Sequence, residues 1–360
     1  MSRTFPTSAR CPYPMRALCL TAPGGRHHLA LLELPSPALP GEGAVRVGIR
    51  SIALNHLDLW VADGLPGVPL PSVPHIVGCD GAGVVLECSP DVTNVRVGDR
   101  VVINPGWGCG TCDACQAGED VFCREFGVMG EHRPGTAAEE VVVPARSVAR
   151  IEGDWSWAEA AAFPLATLTA WRMLTSRAAV RPGEAVLIWG IGGGVALQAL
   201  QVATHLGARV LVTSSSDSKL ERARTLGAEL TINHAKTDNI GSEVKRHLGH
   251  GADVIVDSVG QATWSRSLKA LRPGGRLVTC GATTGHAVEL DLRRLFWFQW
   301  TLLGSTMGTP REFAEIIKAG NAGHLRPVVD RTMPLTEGAS AYQQLADGQQ
   351  FGKIVLEVTS

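Results

Sequence analysis

The chain has 360 residues, 45% hydrophobic and 19% charged, the balance of a soluble globular protein and too long for one ordinary core, so two domains are expected. Its formal net charge is -1, from 33 basic and 34 acidic residues with no run of five basic ones, which argues against nucleic acid or an anionic membrane as partner. Four of the nine cysteines crowd into positions 109–123, a pattern that suits a metal site in a reducing compartment, the cytoplasm, better than a disulfide framework.

Residues 1–15 are polar and interrupted by proline, without an apolar stretch, and read as a loose arm and not as a secretory signal. The apolar runs near Val141 and Val186 are strand-sized, and 296–303 is broken by Gln299 and Thr301, so nothing approaches the about 20 residues of a membrane span. From Arg16 to about Val148, short β-rich runs at 44–51, 83–88, 100–103 and 140–144 lie between glycines and prolines, predicting a compact, mostly β domain. From about Trp157 strands alternate with helices. Strands are predicted at 185–189, 209–213, 253–257, 276–280 and 301–305, and helices at 195–206, 218–226 and 265–271. That alternation predicts an α/β, doubly wound parallel sheet. After about Thr306 it stops. A helix at 310–318, a segment at 325–333 and a final strand at 352–358 are expected to return to the first domain, giving a β-rich domain of 1–156 plus 306–360 and a nucleotide-binding domain of 157–305.

The run 185–196 is an apolar strand, a glycine turn and the start of a helix. Glycines let the backbone approach a pyrophosphate, which the free N–H groups of the helix N-terminus stabilise. Gly190 and Gly192 fill the first two places of the dinucleotide fingerprint, Val195 stands in the third, and Gly193 and Gly194 lie between them. An NAD site usually carries an acid at the end of the second strand, where this chain has Ser214. Ser215, Ser216 and Lys219 can donate to a 2′-phosphate, so NADP(H) is favoured. The alternatives are a serine turn that caps the next helix, or Asp217 in the acid's role.

Cys109, Cys112, Cys115 and Cys123 are spaced C-x2-C-x2-C-x7-C. Four thiolates saturate a tetrahedral Zn²⁺ and leave no place for substrate, so the site reads as structural. An iron–sulfur cluster is the rival, against which stand the x7 gap and the lack of a following Cys-Pro.

The cysteine lobe, the glycine turn, Gly78-Cys-Asp-Gly-Ala-Gly-Val-Val85, 97–101 (VGDRV), 272–276 (RPGGR) and 352–355 (GKIV) together resemble the alcohol dehydrogenase and quinone reductase branches of the medium-chain dehydrogenase/reductase family. The resemblance covers nearly all the chain from Met15 and implies a GroES-like first domain, a Rossmann second domain, a small-molecule substrate and a homodimer or homotetramer. It also places Asn55, Cys79 and Leu165 where family alcohol dehydrogenases hold a catalytic zinc, Asp80 where they carry a nearby glutamate, and Leu57 where they carry a relay hydroxyl. Only Cys79 is a good zinc ligand, and a catalytic site needs about three. The expectation is therefore NADPH-dependent reduction of a quinone or an activated C=C bond without catalytic zinc. In that reading Asn55 and Thr169 hydrogen-bond the acceptor carbonyl, and His56 lies near the cofactor pyrophosphate. Tyr13 and Tyr342 lie in no expected pocket segment, leaving water as the proton source. Trp60 is expected in the pocket wall, and Trp297, Phe298 and Trp300 in core or subunit contact. Two alternatives stay open: an alcohol or aldehyde dehydrogenase with an unusual zinc set of Cys79, Asp80 and His56, and a non-enzymatic nucleotide binder.

Overall fold

In Ala44–Ala53, buried Val45, Val47 and Ile49 alternate with the more exposed Arg46, Gly48 and Arg50, the period of two of a sheet covered on one face. In the computed structural model, which describes residues 14–39, 41–65 and 68–358, this strand is the hub of a seven-stranded sheet. It pairs antiparallel with Asp80–Cys88, at its start with Glu140–Pro144, and at its end with Lys353–Glu357. Arg100–Ile103 and Val148–Arg150 extend the sheet one way and Val329–Pro334 the other. Leu29–Pro35, Pro14–Leu20 and His75–Ile76 form a smaller sheet in the same unit. Its core includes Val45, Val47, Ile52, Leu54, Tyr342 and Ile354, and burying each large aliphatic side chain there contributes about 1.5–3 kcal/mol. The arm expected at the N-terminus lies outside the described residues as far as residue 13.

The second unit is built on strands with no alternation. Ala185–Ile188 is buried at every position, as a strand covered by helices on both faces must be. Six strands, all parallel, run in the order Leu230–Asn233, Arg209–Ser214, Ala185–Ile188, Ala252–Asp257, Leu271–Thr279, Thr301–Gly304. The strand order reverses at Ala185–Ile188, and ligands of doubly wound sheets bind at that switch point. The expected α/β fold, a GroES-like β-rich domain and a Rossmann sheet, is the observed one.

The units divide at Leu165/Ala166, inside the helix Pro164–Arg172, and not at 156/157. Trp155 and Phe163 meet edge to face at 5.1 Å and pack on Gly320, which keeps the helix Trp157–Ala162 with the first unit. The C-terminal return is also interrupted. It begins at Thr309, and Ala322–Val328 belongs to the second unit, where Gln198 and Gln201 donate to the Arg326 carbonyl and the Arg326 N–H donates back to Gln201. This docking explains why the segment expected at 325–333 becomes a strand only over Val329–Pro334. The predicted helices at 265–271 and 310–318 are longer than expected, spanning Gln261–Ala270 and Pro310–Asn321. Among the described residues no helix is long and apolar enough to cross a membrane.

Candidate active site and metal centre

The four clustered cysteines come together without help from a distant segment. Cys109, Cys112, Cys115 and Cys123 place their sulfurs within 4.8 Å of one another, and the Cys109 and Cys115 sulfurs are 4.0 Å apart. A tetrahedral Zn²⁺ with Zn–S bonds of about 2.3 Å needs sulfur separations of about 3.8 Å, so this donor set fits the ion. Backbone N–H groups already point at the sulfurs. Cys109 Sγ accepts from Thr111 and Cys112, and Cys123 Sγ from Cys109 and Glu125. The Thr111 hydroxyl and these N–H donors lower the Cys109 thiol to about 6, toward the thiolate a metal requires.

At the switch point, Gly190 and Gly192 take φ values of 67° and 127°, which L side chains rarely adopt. Gly193 is different. It caps the helix Gly194–His205 with an ordinary φ of -76°, and a Cβ built on it would meet nothing within 4 Å. Neither backbone conformation nor packing requires glycine there, so the open space fits a phosphate approaching the helix N-terminus. Val195, in the fingerprint's third place, lies in that helix.

At the end of the next strand Ser214 is buried, and its hydroxyl accepts from the Ser216 N–H at 3.1 Å. Ser216 caps the helix Asp217–Thr225 by accepting from the Lys219 N–H, so the capping role weighed for the serine turn is realised at this residue. Ser215 is exposed. The Asp217 carboxylate is held by Asn233 at 2.7 Å and Lys236 at 2.6 Å, and these two donors keep its pKa below the usual range. Asn233 and Lys236 are residues the sequence reading missed.

The third cluster lies wholly in the first unit and is buried. Register explains it: Ala53 pairs with Asp80 on one side and with Val355 on the other, so two places further along, Asn55 stands opposite Lys353. Asp80 is fully buried and has three fixed donors. Its Oδ1 accepts from the Leu165 N–H at 2.8 Å, and its Oδ2 from Asn55 Nδ2 at 2.9 Å and Lys353 Nζ at 3.1 Å. Lys353 Nζ also donates to Asn55 Oδ1, and the second amide hydrogen of Asn55 goes to the Ala53 carbonyl. The Asn55 amide, expected to serve an acceptor carbonyl, therefore has each of its polar atoms engaged within the protein. Asn55 begins the helix His56–Asp63, in whose first turn Asp58 folds back to accept the Asn55 N–H at 2.6 Å. Cys79 donates its thiol to the other Asp58 oxygen at 3.3 Å. Burial raises the Asp58 carboxyl to about 6 and pushes the Cys79 thiol well above its ordinary value.

Tyr342 is fully buried, among the described residues its hydroxyl has no hydrogen-bond partner, and burial raises its pKa well above the ordinary value. Tyr13 lies outside the described residues. His56, at the start of its helix, is exposed and meets Trp60 edge-on at 5.6 Å. Thr169 is buried in the second-unit part of Pro164–Arg172. The expected aromatic cluster is split. Phe298 and Trp300 stack at 5.1 Å, while Trp297 is 76% exposed.

Comparison with known proteins follows the same division. Residues 41–153 match the alcohol dehydrogenase GroES-like domain, and residues 194–321 match the zinc-binding dehydrogenase family. The chain belongs to the medium-chain dehydrogenase/reductase family. It is 31% identical over 369 residues to the zinc-type alcohol dehydrogenase-like protein YogA of Leptosphaeria maculans, covering 96% of this chain and 100% of the relative. It is also 31% identical to the acryloyl-coenzyme A reductase of Metallosphaera sedula, covering 92% and 97%. A crystal structure of an NAD-dependent alcohol dehydrogenase superposes with a TM-score of 0.91 at 42% identity, covering 96% of this chain and 100% of that one. This member of the medium-chain dehydrogenase/reductase family is thus a nicotinamide-dependent oxidoreductase. Asn55, Cys79, Asp80 and Leu165, singled out because the family resemblance places them around a catalytic zinc, are brought together here. The cation among them is the ammonium of Lys353, which the sequence reading noted only as part of a terminal motif.

Proposed function

We propose that the protein transfers a hydride from NADPH to a quinone or to the conjugated C=C bond of an enone or enoyl compound, without a catalytic metal. The observation that carries this reading is the Lys353 ammonium bonded to Asp80 and Asn55. A Zn²⁺ in that place would face a fixed positive charge. Its ligands would be a thiol already given to Asp58, a carboxylate with both oxygens claimed, and Leu165, which offers only carbon. A conjugated acceptor needs no Lewis acid on an alkoxide, and the acryloyl-coenzyme A reductase among the relatives is named for such an acceptor.

The neutral Ser214 at the strand end, with Lys219 five residues on and Lys236 three residues past Asn233, the partner of Ser214 on the adjacent strand, supports NADPH over NADH, although the 42%-identical structure is described as NAD-dependent. Bound reduced nicotinamide would supply the hydride. Gly190, Gly192, Gly193 and Gly194 would admit its pyrophosphate, and Ser214, Ser215 and Ser216 would meet its ribose. Thr169 orients the acceptor, Asn55 holds Asp80 and Lys353 in place through its amide, and water supplies the proton. Cys109, Cys112, Cys115 and Cys123 hold one structural zinc. Exposed Phe296 and Trp297, beside the edge strand Thr301–Gly304, support assembly of a homodimer or homotetramer in the cytoplasm.

A second reading, a zinc-dependent alcohol or aldehyde dehydrogenase, is favoured by the names of the relatives. Stopped-flow NADPH oxidation against 1,4-benzoquinones, 2-alkenals and enoyl-coenzyme A thioesters, with metal analysis of the same sample, decides between them. One zinc per chain with turnover of a conjugated acceptor is expected; two zincs with alcohol oxidation would reject the reading. Asn55→Ala should slow the fastest of these reactions, and an unchanged rate removes Asn55 from the site.

A further inference from the structure

We infer that the second unit carries a phosphate-binding site at the end of its sheet opposite the glycine turn, where Arg209, Arg272 and His250 donate to the oxygens of a phosphate or phosphomonoester. A cavity of about 390 Å³ opens there, within the size range of small-ligand pockets. Topology puts these residues together. All strands of a parallel sheet start at one end, and here Ala185 and Arg209 are the first residues of their strands, Asp253 the second of Ala252–Asp257 and Arg272 the second of Leu271–Thr279. The glycine turn follows the other end of Ala185–Ile188, so the length of that strand separates the two places.

Formal charge alone does not select an anion, since the lining holds two guanidiniums and two carboxylates. The hydrogen-bond count does. Asp253 accepts from the Ala185 N–H with one oxygen, at 2.8 Å, and from Arg272 Nε with the other. Glu184 accepts from the Arg181 N–H at 2.9 Å and from Arg276 Nη2. Glu229, outside the lining, takes Nε and Nη2 of Arg209. Every carboxylate oxygen is therefore bonded already, and none stands open for a cation. The donors are not exhausted. Among the described residues no acceptor takes Arg209 Nη1 or Arg272 Nη2. His250 Nδ1 lies 2.7 Å from the Gly251 carbonyl, which can only accept, so Nδ1 carries the proton and Nε2 stays open, a donor once the ring is protonated. The bonds to Glu229 and Asp253 hold both guanidiniums by their other nitrogens, so a phosphate meets them already oriented. The helix Ile240–Leu248 ends just before His250, and Lys245, Arg246 and His247 in its last turn offset the partial negative charge of that end. The site is independent of the reaction proposed above and gives the nucleotide unit a second place, apart from its cofactor, for a phosphorylated small molecule.

The test titrates inorganic phosphate into the full-length protein by isothermal calorimetry, with the glycine turn first saturated by whichever of NADP⁺ or NAD⁺ binds more tightly. Expected is one phosphate per chain with a Kd of about 1 mM or below. Arg209→Met combined with His250→Ala removes two of the three donors and should weaken phosphate at least about tenfold, the worth of one charge-assisted hydrogen bond, while the cofactor Kd stays within about threefold of wild type. No uptake by wild type at about 10 mM phosphate would overturn the assignment. So would uptake that the cofactor abolishes, since the anion would then occupy the glycine turn, and uptake that the double variant keeps in full, since it would then lie elsewhere. If the double variant does not fold, His250→Ala alone, at an exposed position, should still raise the phosphate Kd at least about threefold, and an unchanged Kd overturns the assignment.

Discussion

Asp58 shows how one buried side chain links this site to pH. Its carboxyl is raised from 3.8 to about 6, mainly by burial. A carboxyl raised on folding binds its proton more tightly in the native state. Its contribution is therefore fully present below about pH 4 and is lost as pH rises toward 6. Asp58→Asn removes that loss. Relative to wild type, urea unfolding of the variant should show a stability difference that moves in its favour by roughly 2 kcal/mol between pH 4.5 and 7. A difference that does not change with pH would show that Asp58 titrates normally. Ser214 carries a second prediction at this scale. Ser214→Asp places a carboxylate where ribose hydroxyls are accepted and a 2′-phosphate is repelled, so the ratio of kcat/KM for NADPH over NADH should fall at least about tenfold. An unchanged ratio would assign cofactor choice to other residues.

Among the elements, the glycine turn separates what folding needs from what a ligand needs. Gly190 and Gly192 have backbones that demand glycine, whereas Gly193 has an ordinary backbone and empty space at its Cβ position. Gly193→Ala should leave the thermal midpoint within a few degrees of wild type, since losing a glycine cap costs less than about 1 kcal/mol, yet raise the NADPH Kd at least about tenfold. A full-strength Kd would mean that nothing occupies that space. The central strands of the two larger sheets were legible in the sequence because apolar residues recur with period two in Ala44–Ala53 and without a break in Ala185–Ile188. The cysteine lobe was legible because all its ligands fall within one short segment. Lys353 was not, because a register shared by Asn55, Asp80 and Val355 creates its surroundings, and no local pattern encodes that register. The docking of Ala322–Val328 was missed for the same reason: two glutamine side chains on a distant helix decide it.

For the molecule as a whole, the prediction concerns association. Leu292, Phe296 and Trp297 are each at least 65% exposed on the helix Leu292–Phe298, and Thr301–Gly304 is a sheet edge bonded on one side only. Sedimentation velocity should find a dimer or tetramer, and Trp297→Lys should shift it toward the monomer without lowering zinc content. A monomeric wild type would leave these aromatics without a purpose in assembly.

One sheet in the first unit is completed by a strand that comes after the entire second unit in the chain. Lys353 meets Asn55 across 298 positions of sequence. During synthesis the end of Ala44–Ala53 must therefore wait, with its backbone groups open on one side, while all six parallel strands of the other unit are made. The ribosome delivers the ammonium to its carboxylate late, so a chain stalled before that point carries a finished nucleotide fold beside an unlatched sheet, a natural target for chaperones and for wrong partners.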